Sequence, residues 1–377
     1  MFTRQRSLTR QFLQERRIDF ALFANPATVT WLTGFAPPTQ LGAHPYAGAP
    51  PLVWYEEGAF SLIVVDGLSS AASAFVQEED GELLTYTGYT YTAPLEGAAH
   101  LHELLMARWT NGRSGRTGVE LAHVPASVMG ALWKTHPGLE LVPVDGLLAP
   151  LRAVKTEEEI ATLRLAFHLA DVGHAAARRA AQPGMREIDV WAAVHTAIER
   201  EAGRRIALGN DCIVGTRPFN VGGWPADLML VEGGSLIVDL SPIVDGYWAD
   251  SCATYVAGKP TEQQRELHTV VSQALALGAS MLRPGTVAGD IDHAMRELIR
   301  KAGHPGYPHH SGHGVGVTGH EAPRIIPNSS DVLQAGMVVL LEPGIYLPGR
   351  TGVRLEDAFL VTATGPLQLT THDKGLG

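Results

Sequence analysis

The pattern of apolar and polar positions divides the chain into two parts. Before Pro150, short apolar runs are bounded by Gly, Pro or Asp, and they predict strands alternating with helices. The clearest runs are DFALFAN (19–25), AFSLIVVDG (59–67) and TGVELA (117–122). Five prolines between Gly34 and Pro51 predict an ordered loop or flap there. This part is therefore expected to be a small α/β domain.

The pattern changes near residue 150. In DGLLAPLRAVKTEEEI (145–160), Lys155 leads into Thr156 and Glu159, whose spacing is that of a helix capping box. A long amphipathic helix is predicted to start there. We therefore expect one domain over residues 1–150 and a second over residues 151–377.

The second domain contains two similar stretches. PGMREIDVWAAVHTAIEREAG (183–203) follows the Thr156 cap, and PGTVAGDIDHAMRELIRKAG (284–303) follows a second cap at Thr261 and Gln264. Equivalent glycines in the two stretches are separated by 101 and 100 positions, which are Gly184 with Gly285 and Gly203 with Gly303. The spacing predicts two related halves, each with two helices and a sheet, and a site that draws residues from both. A Pro-Gly turn between helices is also common without any repeat, so coincidence stays open as an explanation.

Composition narrows the classes of function. The chain has 377 residues, of which 45% are apolar and 18% are charged, so it can bury a large core. A net charge of −10 makes nucleic acid and anionic membrane surfaces poor partners. The sequence has no apolar run long enough for a signal peptide or a spanning helix. Cys212 and Cys252 form no disulfide framework, so a cytoplasmic location is expected.

Four carboxylates occur where apolar strands are expected. Asp239 ends the run in GGSLIVDLSP, and Asp250 follows an Asp-Gly turn in GYWADSCATYV, so the two strands are predicted to form a hairpin. Glu342 ends the run in MVVLLEPGIY, and Glu356 lies inside GVRLEDAFLVT. Buried carboxylates close together need compensation, because each costs several kcal/mol and raises the pKa of its neighbours. A pair of divalent cations would supply that compensation.

Four histidines, at 309, 310, 313 and 320, lie in the glycine-rich stretch HHSGHGVGVTGHEAPR (309–324). Carboxylates with one imidazole suit Mn, Co, Fe or Zn, and shared carboxylates can bridge two ions. Taken singly, each residue has a simpler interpretation. A strand-end Asp often forms a turn, a His in a loop is often an ordinary polar residue, and Glu356 could pair with Arg354 in a structural ion pair.

Together these motifs resemble the M24 metallopeptidase family, which includes methionine aminopeptidase, aminopeptidase P and prolidase. VDLSPIVDGYWAD (238–250), SGHGVGVTGHEAP (311–323), LLEPGIY (340–346) and GVRLED (352–357) occur in the family's order. The N-terminal stretch RRIDFALFANPATVTWLTGF (16–35) is similar to the creatinase-like domain that precedes the catalytic domain in prolidase and aminopeptidase P. The resemblance implies an α/β (α+β) chain in which a creatinase-like domain precedes a pita-bread catalytic domain with pseudo-twofold halves.

The resemblance also implies a set of site residues. Two divalent ions per chain, with manganese favoured over Co, Zn or Fe, would be held by Asp239, Asp250, His313, Glu342 and Glu356, with Asp250 and Glu356 bridging. The ions would lower the pKa of a bridging water, and Glu342 would accept and donate the proton. His320 matches a histidine that stabilises the tetrahedral intermediate, and His309 a further histidine beside the substrate. Arg324 matches a clamp for the terminal carboxylate of the substrate, and Arg354 is expected to orient the ligand carboxylates.

One departure from the family pattern concerns specificity. Relatives carry a histidine about seventeen residues before the first aspartate ligand, whereas no histidine lies between Gly209 and Asp239 here; glycines and Trp224 occupy that neighbourhood. Because that histidine is not a metal ligand, the departure affects substrate contact and not the metal site.

The resemblance favours a peptidase that cleaves the Xaa-Pro bond of dipeptides, as prolidase does, with short proline-containing peptides as substrates and a homodimer as the assembly. Three other functions stay open. Aminopeptidase P acts on longer peptides, creatinase-like enzymes hydrolyse C–N bonds without the five ligands, and inactive relatives serve as binding modules after losing ligands.

Overall fold

The computed structural model of the protein describes residues 2–37, 46–77, 81–109, 115–209, 212–215, 217 and 219–377. The chain forms two compact units, Met1–Leu151 and Arg152–Gly377. Residues 38–45 of the expected flap lie outside the described residues, so that prediction is not tested there. Among the helices that the structure describes, none is long and apolar enough to cross a membrane.

The first unit is built around a six-stranded mixed sheet. Its strands are β1 (Phe20–Phe23), β2 (Leu52–Glu56), β3 (Ala59–Val65), β4 (Gly81–Tyr86), β5 (Gly115–Val119) and β6 (Leu139–Pro143). They lie in the order β4-β3-β2-β1-β5-β6. The helices are α1 (Thr3–Glu15), α2 (Pro26–Thr33), the short α3 (Ser69–Ala72), α4 (Gly97–Arg108) and α5 (Ala126–Thr135). The predicted strands in 19–25, 59–67 and 117–122 correspond to β1, β3 and β5, and the predicted α/β character of this unit is confirmed.

Burial explains why these runs form strands. Six of the seven residues of β3 are buried, as expected for an apolar run inside a sheet. Asn25 caps α2 by accepting a hydrogen bond from the backbone N–H of Ala27, so the helix begins directly after β1. Trp54 and Trp109 pack with ring centroids 4.9 Å apart and anchor the core.

The second unit contains four helices and thirteen strands within the part of the chain that the structure describes. The helices are α6 (Glu157–Ala180), α7 (Glu187–Ala202), α8 (Glu262–Ser280) and α9 (Ala288–Lys301). Strands of its first half are β7 (Ala207–Leu208), β8 (Cys212–Val214), β9 (Ser235–Leu240), β10 (Pro242–Val244), β11 (Tyr247–Trp248) and β12 (Ser251–Val256). Strands of its second half are β13 (Gly312–Gly314), β14 (Glu321–Ile325), β15 (Val338–Leu341), β16 (Gly344–Leu347), β17 (Thr351–Arg354), β18 (Asp357–Thr362) and β19 (Gly365–Gln368).

The two halves repeat the same local contacts. Thr156 caps α6 and Thr261 caps α8, each through the predicted capping box. Gly184 and Gly285 both adopt positive φ and both donate a backbone hydrogen bond to a leucine carbonyl in a following strand-like segment, at 2.8 and 2.9 Å. The predicted arrangement of two related αα-plus-sheet halves is therefore confirmed.

The strands of each half form two separate small sheets. In the first half, β9 pairs antiparallel with β8 and β12, and β10 pairs with β7 and β11. In the second half, the sheet order is β14-β13-β15-β18-β19, while β16 pairs with β17. The acidic and histidine motifs lie on these strands or directly beside them.

Candidate metal centre

One cavity of about 330 Å³ in the second unit collects the residues that the motifs single out. Its wall includes the five residues expected to hold metal, which are Asp239, Asp250, His313, Glu342 and Glu356. The first two come from the first half of the unit and the other three from the second. His309, His310, His320 and Arg354 also line it.

The aspartates come from a hairpin that is more complex than predicted. Asp239 lies in β9 and pairs in register with Cys252 of β12. The Asp245-Gly246 turn joins β10 to β11, with both residues at positive φ. Asp250 lies just before β12 and outside any strand, which corrects the expectation that it is a strand residue. Leaving the ladder there lets its Oδ1 accept a hydrogen bond from Ser241 Oγ at 2.9 Å.

His313 is held between two strands by close backbone packing. β13 pairs with β14 on one side and β15 on the other. A Cβ at Gly312 would come within 1.9 Å of the Leu340 oxygen, and one at Gly314 within 2.1 Å of the Ala322 oxygen. The glycines of the GHG motif are therefore required for this approach. Glu342 follows β15 directly, and its backbone N–H donates to the Ser311 oxygen at 2.9 Å.

Glu356 lies between two sheets and not inside a strand as expected. β17 pairs with β16, whereas β18 pairs with β15 and β19, so the chain crosses from one sheet to another at Leu355 and Glu356. The backbone N–H of Glu356 donates to the Cys252 oxygen at 2.8 Å, which ties the crossing to the hairpin that carries both aspartates.

The electrostatics of the cavity show why a cation fits. Burial and the neighbouring Asp239 carboxylate raise the pKa of Asp250 well above its ordinary value. Burial and the Asp250 and Glu342 carboxylates do the same to the pKa of Glu356. Burial also raises the pKa of Glu342. The crowded carboxylates are thus unfavourable as free anions.

Two buried oxygens in this cluster lack a hydrogen-bond partner among the described residues, Asp239 Oδ1 and Glu356 Oε1. His313 Nε2 lies 3.9 Å from Asp250 Oδ2, 3.6 Å from Glu342 Oε1 and 3.9 Å from Glu356 Oε1. Burial lowers the pKa of His313 well below its ordinary value, so the ring is in the neutral form that binds metals. Carboxylate oxygens and one neutral imidazole that converge in this way are a fitting donor set for divalent ions.

Arg354 contacts the carboxylate cluster through Asp239. The buried guanidinium donates to Asp239 Oδ2 at 2.7 Å, to the Tyr346 hydroxyl at 3.1 Å and to the Val221 carbonyl. The orienting role expected of Arg354 stays a prediction, for which the contact with Asp239 is the geometry required. The contribution of Tyr346 had no sequence signal beyond its place in the LLEPGIY motif.

Two further histidines, His309 and His310, lie beside Glu342. His309 Nδ1 lies 3.7 Å from Glu342 Oε2, and its Nε2 is hydrogen-bonded to the Tyr346 hydroxyl at 2.9 Å. Burial lowers the pKa of His309 to about 3. His310, for which the sequence indicated no role, places Nε2 2.7 Å from Glu342 Oε1. The one feature of the sequence that could have indicated a role for His310 is its place in a stretch with three other histidines.

Arg324 does not join the cavity wall among the residues that the structure describes. It lies on β14 opposite His313 in register, with its side chain exposed. Its charge nonetheless contributes to lowering the pKa of His320, after burial and His310. Arg324 is therefore near the site, at its rim.

The segment that lacks the family histidine forms another part of the wall. Val221, Gly222, Gly223 and Trp224 line the cavity, and the Trp224 side chain is 70% exposed. Arg217 Nη2 donates to the Trp224 oxygen at 2.9 Å and to buried Glu187 at 2.7 Å. Glu187 also accepts from the Ala226 N–H at 2.8 Å. The backbone at Trp224 and just after it is thereby anchored, while the residue itself is largely exposed and lines the cavity.

Comparisons with known proteins show the family and the fold of the chain. The sequence profile of metallopeptidase family M24 matches residues 161–363, and that of the creatinase/prolidase N-terminal domain matches residues 5–154. An Xaa-Pro dipeptidase from Pyrococcus furiosus is 29% identical over 367 residues, which cover 97% of each chain.

Solved structures show the same fold over nearly the whole chain. The prolidase from Pyrococcus furiosus superposes with a TM-score of 0.79 at 27% identity, covering 96% of this chain and 99% of its own. An X-Pro aminopeptidase from Thermotoga maritima gives a TM-score of 0.79 at 21% identity over 98% of each chain, which is a likeness of fold alone. The expected creatinase-like domain and pita-bread domain are thus confirmed.

Proposed function

Because the chain belongs to metallopeptidase family M24, as its motifs predict, we propose that it hydrolyses the Xaa-Pro bond of dipeptides. The observation that carries the proposal is the convergence of four carboxylates and one imidazole in a single cavity. The similar Xaa-Pro dipeptidase from Pyrococcus furiosus matches both domains of the chain, which supports this substrate class. We assign the chemistry to the second unit.

Asp239, Asp250, His313, Glu342 and Glu356 would hold two divalent ions, with Asp250 and Glu356 shared between them. The oxygen-rich set favours manganese among the candidate ions. When bound, such ions lower the pKa of a coordinated water and polarise the scissile carbonyl. Arg354 keeps the Asp239 carboxylate aimed at the cavity through its 2.7 Å contact.

The side chains around the donors supply the remaining steps. Glu342 would take the proton of the attacking water and deliver it to the leaving nitrogen, and the contact of its Oε1 with His310 holds that carboxylate in place. His320 would hydrogen-bond the oxygen that becomes negative at the attacked carbon. His309, held by Tyr346, would contact the substrate next to Glu342.

Arg324 would bind the C-terminal carboxylate of a dipeptide at the rim. Cleavage of longer peptides, as by aminopeptidase P, is a second candidate function that the same donor set also allows. A creatinase-like C–N hydrolase and an inactive binding module have less support, because the five donors that either of them would lack are present in this chain. A homodimer in the cytoplasm stays a prediction from the family resemblance, and light scattering tests the assembly.

Turnover of Leu-Pro against Leu-Pro-Gly tests the proposal. The full chain is treated with chelator, then supplied with manganese, and the release of leucine from each peptide is measured. We expect activity only after manganese is added, with Leu-Pro the better substrate by kcat/KM. Preference for Leu-Pro-Gly would favour an aminopeptidase, and turnover by metal-free protein would contradict the proposed chemistry.

A substitution at Glu342 tests the proton transfer. Glu342→Gln should lower kcat by a factor of about 10² to 10⁴ while the protein remains folded, because the amide cannot accept the proton. Glu201→Gln is the control, since Glu201 is half exposed and pairs with surface His168. Unchanged turnover in Glu342→Gln would remove Glu342 from that role.

A further inference from the structure

Helix α9 carries two charged residues, Asp292 and Arg296, on its buried side. Asp292 is 2% exposed and the side chain of Arg296 19%. The two residues lie one helical turn apart, and Arg296 Nε donates to Asp292 Oδ1 at 2.9 Å. Replacing a buried ion pair by apolar residues is often neutral or stabilising, so stability alone does not account for this α9 pair. Its other contacts indicate what it does.

Arg296 binds the backbone of the histidine segment, which is residues 307–313. Its Nη1 donates to the Tyr307 carbonyl at 2.7 Å, and its Nη2 donates to the His309 carbonyl. The guanidinium also lies over the Tyr307 ring, 4.1 Å from the ring centroid. A planar guanidinium can donate to two carbonyls and a carboxylate at once, which a lysine ammonium matches poorly. Arg296 therefore fixes the backbone at His309 directly.

Asp292 holds the same segment further along, through Ser311. The fully buried Ser311 hydroxyl donates to Asp292 Oδ1 at 2.6 Å and is also hydrogen-bonded to the Tyr307 hydroxyl at 2.5 Å. The carbonyl of Ser311 accepts a hydrogen bond from the Glu342 backbone N–H at 2.9 Å. Ser311 thus connects the α9 pair to the backbone of Glu342.

The internal repeat shows that the helix itself does not require this pair. At a separation of 101 residues the buried apolar positions of α7 and α9 align, which are Val190 with Ile291, Val194 with Met295 and Ile198 with Ile299. At the same separation, Trp191 and His195 stand where α9 has Asp292 and Arg296. Their rings contact each other with centroids 3.9 Å apart. The charged pair therefore belongs to the half that supplies the histidines, and not to the repeat.

We propose that the α9 pair positions His309 and Glu342 for the reaction. Neither member of the pair lines the cavity among the residues that the structure describes, so both act through the histidine segment. His309 Nδ1 lies 3.7 Å from Glu342 Oε2, and a shift of the segment would change that spacing. The inference rests on the proposed function, because it takes Glu342 as the proton acceptor and His309 as a substrate contact.

Hydrogen exchange in the metal-free full chain tests the positioning without any turnover. Asp292→Leu removes the acceptor of two hydrogen bonds, so amides of the histidine segment should exchange about tenfold faster or more. Asp292→Asn keeps an acceptor oxygen and should stay within about threefold of the wild type. Ile299→Val is the matched control, because Ile299 is buried on the same helix. Exchange in Asp292→Leu as slow as in the wild type, or equally fast in Ile299→Val, would overturn the proposal.

Turnover of Leu-Pro by the manganese-loaded full chain gives the second measurement, with the folded fraction taken from circular dichroism. Per folded chain, kcat of Asp292→Leu should fall about tenfold or more, whereas Asp292→Asn should keep about half or more of it. Ser311→Ala removes one hydroxyl and should lower kcat about threefold or more, which tests the same link if Asp292→Leu does not fold. Equal losses in Asp292→Leu and Ile299→Val would show a merely structural role and overturn the proposal. A wild type without turnover would contradict the proposed function, and hydrogen exchange would then decide the positioning by itself.

Discussion

The ammonium group of Lys155 donates a hydrogen bond to Glu321 Oε2 at 2.9 Å, and both side chains are only 1% exposed. Arg152 Nε lies 3.3 Å from the other oxygen of Glu321. This ion pair joins the start of the second unit to the residue next to His320. It therefore fixes the backbone from which His320 enters the cavity.

Loss of the Lys155 charge should destabilise the protein. Lys155→Met is expected to lower the free energy of unfolding by about 3 kcal/mol, because it leaves the buried Glu321 carboxylate with Arg152 alone. Urea unfolding measures the change. In the control, Arg204→Ala breaks an ion pair with Asp245 in which both side chains are about half exposed, and should cost less than about 1 kcal/mol. Equal losses in the two variants would contradict the importance of the buried pair.

Stability should depend on pH through buried His174. Its ring stacks on His372 at 3.9 Å and is hydrogen-bonded to Tyr255 and to Ser251, while His372 is bound to Asp171. Burial lowers the pKa of His174 well below 6.5. The unfolded chain therefore takes up a proton that the folded chain refuses, so this contribution to stability is present above the ordinary histidine pKa and is lost as pH falls below it.

The expected slope for this one group is up to about 1.4 kcal/mol per pH unit below the ordinary pKa. His174→Gln should reduce the loss of stability between about pH 7 and pH 5, as measured by urea unfolding at each pH. His168→Gln, which changes a half-exposed histidine, serves as the control. A pH dependence in His174→Gln as steep as in the wild type would show that other groups dominate.

Arg324 should distinguish dipeptides from longer peptides. Arg324→Ala is expected to raise KM for Leu-Pro by a factor of about ten, because the terminal carboxylate loses a charged hydrogen-bond partner. KM for Leu-Pro-Gly should change less, since its carboxylate lies one residue further away. Arg283→Ala, another exposed arginine, is the control. Equal effects on both peptides would argue against the clamp.

Trp224 should contribute to substrate selection from its exposed position in the cavity wall. Trp224→Ala is expected to raise KM for substrates that contact the indole by about fivefold, whereas Trp224→Phe should keep most of the affinity. Comparing Leu-Pro with Gly-Pro tests whether the first residue makes that contact. Trp133→Ala is the control, because Trp133 is also exposed but belongs to the other unit. An identical KM in Trp224→Ala and wild type for both dipeptides would exclude this role.

Local signals predicted much of the fold. The capping boxes at Thr156 and Thr261 involve residues three positions apart, and the helices begin where these pairs predict. The prediction that Asp250 and Glu356 lie within strands was wrong. Both residues lie where the chain leaves one sheet for another. Such a crossing depends on which strands pair, and pairing is decided between distant segments.

The sequence by itself determined the family and the order of the elements, and it selected five candidate donor residues, since each of these depends on residue type and spacing along the chain. Only the tertiary structure decided that His310 lies 2.7 Å from Glu342, that Lys155 pairs with Glu321 and that Trp224 lines the cavity. These contacts join segments up to 166 residues apart, and the packing of sheets and helices, not any local preference, brings such segments together.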